Sequence, residues 1–404
     1  MNVVSIILAA GRGSRMDRDD INKVCHKING EPAIANAVEM YGECGVDRHI
    51  CVVGHLAEQV KDALSPFGPS VDFVYQHEQN GTGHAARCGA TPLKEEGYDG
   101  FVLVVAGDKV IQRDVVEDLI GRMEQNEADL IFVTGDQAEN LRSGRVVKDE
   151  DGQPVAIVEA SEIKLSELVA EIEKLIAKDA PVSSDFLKER MTHHFPNESK
   201  CEQACGDLYQ LAHEQDELTP GELKAAIQPL LPKVQLDVTG SDGTHLRAHE
   251  ADEQTDEVNL TVYLFRAAAL YEGLRHIESD NVQGEEYLTD VVKYLATSTD
   301  DEGNRAFKLE TLRISDPTDV MGFNTQQQLQ QIRDVYASPS ITISGDASSG
   351  AQTLPVHTWK RLFSGRHPHV RKFLKATYGD NWKLQEKKRS EYLTALDHYE
   401  RTHD

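Results

Sequence analysis

An apolar segment near the start of the chain runs directly into a turn that holds two glycines. Residues 3–8 are followed by Ala9-Ala10-Gly11-Arg12-Gly13-Ser14-Arg15. A β-branched run that ends in small residues is typical of a buried parallel strand that leads into a tight phosphate-binding turn. Glycines let backbone N–H groups approach a phosphate closely, and a helix that follows would add its positive end.

Positive charge accompanies this turn in a chain that is otherwise strongly acidic. Arg15 and Lys23 suit the phosphates of a triphosphate, while the formal net charge of the whole chain is −26. Because no Gly-Lys-Ser/Thr follows the turn, a P-loop is excluded. Two glycines after a strand would by themselves also fit a dinucleotide-binding turn. The turn therefore predicts a nucleotide site without identifying the nucleotide.

Bulk composition narrows the class of protein. A chain of 404 residues is long enough for one large domain with additions or for two domains. Its acidity argues against nucleic acid and anionic membranes as partners, and no segment has the length of a membrane span or the pattern of a signal peptide. Six cysteines are too few for a disulfide framework in a chain this long. We therefore expect a cytoplasmic protein that binds small molecules, with homo-oligomerisation left open.

Up to about residue 160, apolar strands alternate with helical patterns, which predicts βαβ units. The expected fold class is α/β, with a Rossmann-like, mostly parallel mixed sheet. The expected strands are residues 3–8, 49–53, 71–75, 101–105, 129–133, 145–148 and 155–158, and the expected helices include 32–41 and 57–64.

The pattern changes after residue 160. Residues 161–250 are acidic and rich in helical signals, including an apolar stripe from Leu165 to Ile176 and a capping box that begins at Thr219. Residues 239–244 read as a loop, 258–265 as a strand and 285–295 as a helix. We expect a domain at 1–333 that contains 161–250 as a helical insertion, then a linker at 346–352 within a basic helical tail at 345–404.

Six further segments follow the turn in an order that resembles the sugar-1-phosphate nucleotidyltransferases. The resemblance is closest to the uridyltransferase domain of bacterial N-acetylglucosamine-1-phosphate uridyltransferases, and it covers roughly residues 1–160 and 256–333. Each segment is weak alone, and the ordered set is specific. The segments are residues 76–85, 106–108, 144–146 with 155–159, 257–259, 281–290 and 320–325.

This resemblance implies an enzyme that transfers a nucleotidyl group from a nucleoside triphosphate to a sugar-1-phosphate. UTP and N-acetylglucosamine-1-phosphate are the expected pair, and the products are a nucleotide-diphosphate sugar and pyrophosphate. Another hexose-1-phosphate or dTTP stays open, because the amide of Gln76 pairs with an edge that uracil and thymine share. A catalytically silent sensor of nucleotide-sugars is the alternative of a different class.

The resemblance also assigns roles to individual residues. It implies that Arg15 and Lys23 are catalytic and that Asp108 and Asn324 bind Mg²⁺, a hard cation that prefers oxygen ligands. It implies that a further set contacts the two substrates, namely Leu8, Ala10, Gly11, Gly13, Gln76, Gly81, Thr82, Gly107, Gly144, Glu159 and Asn259.

Some positions depart from the family pattern, and two segments are not explained by it. Asn22 stands where the family has proline before the lysine, and Leu260-Thr261 replaces Thr-Gly after Asn259. The insertion could be a lid, a dimerisation arm or a regulatory module, and we expect a peripheral helical decoration. Its histidines and cysteines lack a standard zinc-ligand spacing. No hexapeptide repeat follows, so the acetyltransferase activity of bifunctional family members is not expected.

Overall fold

The computed structural model describes residues 2–13, 16, 20–138, 143–239, 245–336, 340–344 and 351–355. The chain divides into two compact units. The first comprises residues 1–14, 18–25 and 33–321, and the second comprises residues 15–17, 26–32 and 322–404.

A nine-stranded sheet lies at the centre of the first unit. Its strands are β1 (Val3–Ala9), β2 (Arg48–Val53), β3 (Val71–Tyr75), β4 (Phe101–Ala106), β5 (Leu130–Asp136), β6 (Arg145–Lys148), β7 (Pro154–Val158), β8 (Glu257–Arg266) and β9 (Leu309–Arg313). Their order is β7-β6-β8-β4-β1-β2-β3, and β5 pairs with both β8 and β9. The ladders β4-β1-β2-β3 and β5-β9 are parallel, whereas β8 is antiparallel to its neighbours. The predicted α/β class with a mostly parallel mixed sheet is confirmed.

Helices lie between these strands in the sequence and also after the last of them. They are α1 (Ala33–Glu43), α2 (Ala57–Leu64), α3 (Thr82–Glu95), α4 (Arg113–Asn126), α5 (Ala160–Ile176), α6 (Ser184–His194), α7 (Glu198–Cys205), α8 (Asp207–Glu214), α9 (Pro220–Ile227), α10 (Leu231–Val234), α11 (Ala248–Gln254), α12 (Ala267–Arg275), α13 (Thr289–Thr297) and α14 (Gln326–Tyr336). Among the described residues, none of these helices is long and apolar enough to span a bilayer.

Both faces of the sheet are buried, and its central strands carry apolar side chains on both faces. In β1, Val3 and Ile7 point into one core and Val4 and Ile6 into the other, as the alternation of a strand requires. The first core is covered by α1, α2 and α4, and the second by α3, α12 and α13. Such double coverage is the arrangement that parallel strands need.

The insertion has a core of its own. Leu165, Leu168 and Ile172 of the predicted stripe on α5 pack there against α6 to α10. Two short strand pairs accompany these helices, Val182–Ser183 with Glu217–Leu218 and Gln235–Thr239 with His245–Arg247. The predicted capping box of α9 is confirmed, since Thr219 and Glu222 each accept a hydrogen bond from the other's backbone N–H. A further small core joins α5 and α11 to the β6–β7 hairpin.

Several sequence predictions need correction. The family resemblance also implies that the segment 320–325 provides the last strand of the sheet. Its strand Val320–Gly322 instead lies outside the nine-stranded sheet, whose last strand in the sequence is β9. Thr239 ends a strand, although a loop was expected there, and α13 begins at Thr289 rather than at residue 285. The expected linker 346–352 overlaps the strand Ala351–Pro355. The expected tail helices lie outside the described residues.

The second unit is small in its described part. The strands Lys27–Ile28 and Glu31–Pro32 form a tight hairpin, and Ser340–Ser344 pairs with Ala351–Pro355. Helix α14 is held to this unit by two side chains. Arg333 Nε donates to the carbonyl of Lys27 over 2.9 Å, and Gln326 Nε2 donates to the carbonyl of Met16 over 3.2 Å.

Candidate functional site

The carboxyl ends of β1, β2 and β4 meet at one edge of the sheet. Gly107 N donates to Leu8 O over 2.9 Å, which joins the ends of β1 and β4. Ala10 O accepts from His55 N at 3.1 Å and from Gln79 Nε2 at 2.9 Å. Open α/β sheets bind ligands at this kind of edge. Of the residues predicted to contact substrate, Leu8, Ala10 and Gly107 are thus placed together.

The two glycines of the turn have different surroundings. A Cβ atom at Gly11 would meet no heavy atom within 4 Å, so the backbone there faces open space. Gly13 has φ +63°, and a Cβ atom there would lie 2.9 Å from Cβ of Lys23. Gly13 is therefore required both by its conformation and by the side chain that packs on it. Arg15 lies outside the described residues, so its predicted catalytic role stays a prediction.

Lys23 and Asp108 form an ion pair between the turn and the end of β4. Both side chains are largely buried, and Oδ1 of Asp108 is buried without a hydrogen-bond partner among the described residues. Burial opposes the charge of Asp108, but Lys23 and Lys109 outweigh it and lower the pKa of this carboxyl. Burial, with the nearby charge of Lys23, lowers the pKa of Lys109. The site therefore holds an ionised carboxylate with one oxygen still available.

The loop that carries Lys23 is anchored by Asn22, the residue that replaces the family's proline. Asn22 Nδ2 donates to His55 O over 2.7 Å, and Asn22 N donates to Gln59 Oε1 over 2.8 Å. Its own Oδ1 accepts from Val24 N at 3.1 Å. These bonds tie the loop to the start of α2, so the asparagine positions the lysine by hydrogen bonding.

The chemistry of Asp108 fits a magnesium ion. Mg²⁺ in proteins is usually held by one or two carboxylates together with substrate phosphates rather than by a cage of protein ligands. Oδ1 of Asp108, which has no hydrogen-bond partner among the described residues, would be a carboxylate ligand of this kind, and those residues contain no cluster of three or more His, Cys, Asp or Glu side chains that could hold a metal. The second predicted ligand, Asn324, belongs to the second unit, where its backbone N donates to Gln328 Oε1 over 2.7 Å.

The predicted base-reading loop begins where β3 ends. Gln76 is 5% exposed, and its Nε2 donates to Gly81 O over 3.0 Å and lies 3.2 Å from Nδ1 of His84. Its Oε1 accepts no hydrogen bond from the described residues. Thr82 Oγ1 accepts from Leu288 N at 3.1 Å. Gln76, Gly81 and Thr82 are thus brought together in a loop that is held closed by its own hydrogen bonds.

Gly144, Glu159 and Asn259 also converge. Asn259 N donates to Gly144 O over 2.9 Å, and a Cβ atom at Gly144 would lie 3.5 Å from Oε1 of Glu159. The side-chain amide of Asn259 is engaged locally, since Nδ2 donates to Tyr263 Oη over 2.6 Å and Oδ1 accepts from Thr261 N at 3.0 Å. Burial raises the pKa of Glu159.

Sequence reasoning missed several polar groups beside Glu159. Thr289 Oγ1 donates to Glu159 Oε1 over 2.9 Å, and Glu162 accepts the backbone N–H of Glu159 at 2.8 Å. The hydroxyls of Ser161 and Tyr287 are buried in the same region. Thr289 belongs to the matching segment 281–290, to which the sequence analysis assigns no role, and it lies directly against Glu159. The match of residues 281–290 to the family was the sequence signal that could have identified Thr289.

The chain matches the family described as the MobA-like NTP transferase domain over residues 5–190. It is 28% identical over 331 residues to the bifunctional protein GlmU of Geobacter sulfurreducens. This match covers 82% of this chain and 49% of that protein. It is 30% identical over 270 residues to the GlmU of Exiguobacterium sibiricum, in a match that covers 66% of this chain and 52% of that protein. The chain therefore spans about half the length of these curated relatives.

A solved structure supports the fold. It comes from Bacillus anthracis and is described as a candidate glucose-1-phosphate thymidylyltransferase in complex with sucrose. The TM-score is 0.50 at 13% identity, over 84% of this chain and 97% of that chain. At this identity the likeness concerns the fold alone. The matched family and the curated relatives agree with the predicted resemblance to the sugar-1-phosphate nucleotidyltransferases.

Proposed function

We propose that this chain, a nucleotidyltransferase related to the GlmU proteins, transfers the uridylyl group of UTP to N-acetylglucosamine-1-phosphate. One observation carries the proposal. The glycine turn with Lys23 and Asp108 lies at the same sheet edge as the loop that begins at Gln76, and Gln79 bonds the two through Ala10 O. These contacts support the proposal, because a bound nucleotide requires its phosphate-binding element and its base-reading element to lie side by side.

The reaction needs no covalent intermediate on the protein. A phosphate oxygen of the sugar-1-phosphate attacks the α-phosphorus of UTP in line, and the bond from that phosphorus to the bridging oxygen of the β-phosphate breaks. Pyrophosphate leaves with the electron pair of that bond. Because the attacking oxygen is already anionic, no general base is required. The protein's contribution is then positioning and charge stabilisation.

Lys23 and the turn supply the positive side of this environment. The aliphatic stem of Lys23 packs against Gly13, and its ammonium, which pairs with Asp108, would stabilise charge on the phosphates. The open space at Gly11 would let backbone N–H groups approach them. Asp108, through Oδ1, and Asn324 would hold Mg²⁺. The bound ion would neutralise triphosphate and pyrophosphate charge. Arg15 is proposed to bind the same phosphates.

The base and the sugar are assigned to the two remaining clusters. Gln76 would accept a hydrogen bond through Oε1 from an N–H on a pyrimidine edge, beside the backbone of Gly81 and the hydroxyl of Thr82. Gly144, Glu159 and Asn259 would surround the sugar, with Glu159 accepting hydrogen bonds from sugar hydroxyls. Because the shared pyrimidine edge does not separate UTP from dTTP, and other hexose-1-phosphates fit the same chemistry, these remain the nearest alternatives.

The setting of the reaction is also proposed. All six cysteines are free thiols, which agrees with a reducing compartment such as the cytoplasm. The expected ligands are small molecules, and the acidic chain gives no reason to expect nucleic acid. Homo-oligomerisation is left open.

Pyrophosphate release tests the proposal. The protein is incubated with each of several nucleoside triphosphates and each of several sugar-1-phosphates in the presence of Mg²⁺. Release is expected with UTP and N-acetylglucosamine-1-phosphate together and with neither alone. Binding of nucleotide-sugars without any release in the whole panel would favour the silent sensor and overturn the enzymatic assignment.

A further inference from the structure

The insertion is in contact with the segment that supports the base-reading loop. We infer that α7 positions this loop through Gln203, so that the insertion sets the affinity and the selectivity of the enzyme for its nucleotide. This inference rests on the proposed role of residues 76–83 in binding the base. It treats the insertion as part of the nucleotide site rather than as a peripheral decoration or a lid over the sugar.

A tight turn at residues 281–285 connects the two regions. The side chain of Asn281 organises it, since Oδ1 accepts from Gln283 N at 3.1 Å and from Glu285 N at 3.2 Å. Gly284 has φ +61°, a conformation that favours glycine. The turn is thus a preformed unit whose position is set by what holds it on either side.

On one side the turn leads straight into the base-reading loop. Glu286 N donates to Asn80 O over 2.7 Å, and Gly83 N donates to Glu286 O over 2.8 Å. The fit is close, because a Cβ atom at Gly81 would lie only 2.4 Å from Glu286 O. Gly81 O in turn accepts the hydrogen bond from Gln76. A shift of the backbone at Glu286 would therefore displace the loop that carries Gln76.

On the other side the turn is held by the insertion. Val282 is 2% exposed and belongs to the apolar core formed by α5 to α10. Gln203 Nε2 on α7 donates to Gln283 O, and Lys233 Nζ on α10 approaches Asn281 O at 3.4 Å. One buried apolar anchor and two side-chain donors thus fasten the turn to the insertion.

These contacts favour a role in nucleotide binding over a lid. The described polar contacts of α7 and α10 with this turn lead toward residues 80–83, where the base is proposed to bind. Packed interiors resist local deformation, so a change at Gln203 is expected to move the turn rather than to be absorbed beside it. The earlier alternatives, a dimerisation arm and a lid, do not require any contact with Gln283.

The test compares two glutamines of the same insertion. Gln203→Ala removes the donor to Gln283 O, whereas Gln210→Ala removes an exposed bond of 2.9 Å from α8 to Glu202 Oε1, which does not involve the turn at 281–285. Gln203→Ala is expected to raise the KM and the dissociation constant for UTP about 2–10-fold, the usual effect of one hydrogen bond. The KM for sugar-1-phosphate should not change. Gln203→Lys, which keeps a donor, should restore UTP binding.

Further variants make the outcomes distinguishable. If Gln203→Ala does not fold, Lys233→Met weakens the same attachment at Asn281 and should raise the KM for UTP in the same direction. Equal behaviour of the Gln203 and Gln210 variants, or a rise in the KM for the sugar-1-phosphate alone, would overturn the inference. Gln76→Ala serves as the reference. If it leaves UTP binding unchanged, the proposed base-reading role itself fails, whatever Gln203→Ala does.

Discussion

The contact between Gly13 and Lys23 leads to a sharp prediction. In Gly13→Ala the new methyl group would lie 2.9 Å from Cβ of Lys23. Ordinary carbon–carbon contacts are about 3.5–4.0 Å, so the lysine must withdraw by roughly 0.6–1.1 Å. The left-handed φ of +63° adds strain of about 1–2 kcal/mol for a residue with a side chain. Both effects act on a cation proposed to stabilise the reacting phosphates.

Two assays separate these effects. A displacement of about 1 Å in a catalytic group costs on the order of 10²-fold in rate, so we expect the kcat/KM of Gly13→Ala to fall by about that factor. The strain should lower the melting temperature by about 2–4 °C per kcal/mol, and steady-state pyrophosphate release with thermal unfolding measures both.

Gly11→Ala is the matched control in the same turn. A Cβ atom there meets no heavy atom within 4 Å, and the residue has no positive φ. Its melting temperature should therefore stay at the wild-type value, while the KM for UTP rises because the methyl group occupies space that the phosphates approach. A Gly13→Ala protein with wild-type activity would refute the reasoning, even if its stability fell.

Three further predictions concern the metal, the base and a buried acid. Asp108→Asn should lower kcat about 10²–10³-fold, because one preorganised electrostatic group is lost. EDTA should abolish pyrophosphate release, and near-normal turnover in either case would contradict the assignment of Asp108 as a magnesium ligand. UTP or dTTP should be preferred to ATP and GTP because a mismatched base leaves the polar groups of Gln76 unpaired, whereas turnover with GTP but not with UTP would show that the loop has another role. Burial, with the nearby charges of Glu159 and Asp290, raises the pKa of Glu162 to about 8. The folded protein therefore keeps a proton that the unfolded chain loses near 4.5, and stability should fall as pH rises between those values. In thermal unfolding, Glu162→Gln should come close to the wild type below pH 4.5 and unfold at a higher temperature at pH 8.5. Glu222→Gln is its control at an exposed capping box, where hydrogen bonds from Thr219 lower the carboxyl pKa, and it should give no gain at pH 8.5.

The sequence was most informative where a local pattern determines the structure. Strand β1 could be predicted because its residues are apolar on both faces, and the capping box at Thr219 is a short-range signal. Strand β9 was missed because Glu310, Thr311 and Arg313 interrupt its apolar pattern, as suits a strand in which only Leu309 and Leu312 are buried. Edge strands of this kind give little sequence signal.

The candidate site shows the same difference between local patterns, which the sequence reveals, and long-range contacts, which it does not. The ordered motifs nominate the candidate residues, because each motif is local. The contacts among them are long-range, and no spacing predicts them: Lys23 meets Asp108 across 85 positions, Gln79 meets Ala10 across 69, and Thr289 meets Glu159 across 130. The attachment of Gln203 to the turn at Gln283 likewise depends on tertiary packing of a segment that the family resemblance does not cover.

The fate of the phosphorus atoms of UTP tests the central claim most directly. UTP labelled with phosphorus-32 at the α-position, and in a parallel reaction at the γ-position, is incubated with N-acetylglucosamine-1-phosphate and Mg²⁺, and the products are separated. The account predicts that the α-label appears in the nucleotide-diphosphate sugar and the γ-label in pyrophosphate, in equal amounts and only when both substrates are present. Recovery of the γ-label as inorganic phosphate, or of the α-label as UMP, would contradict it.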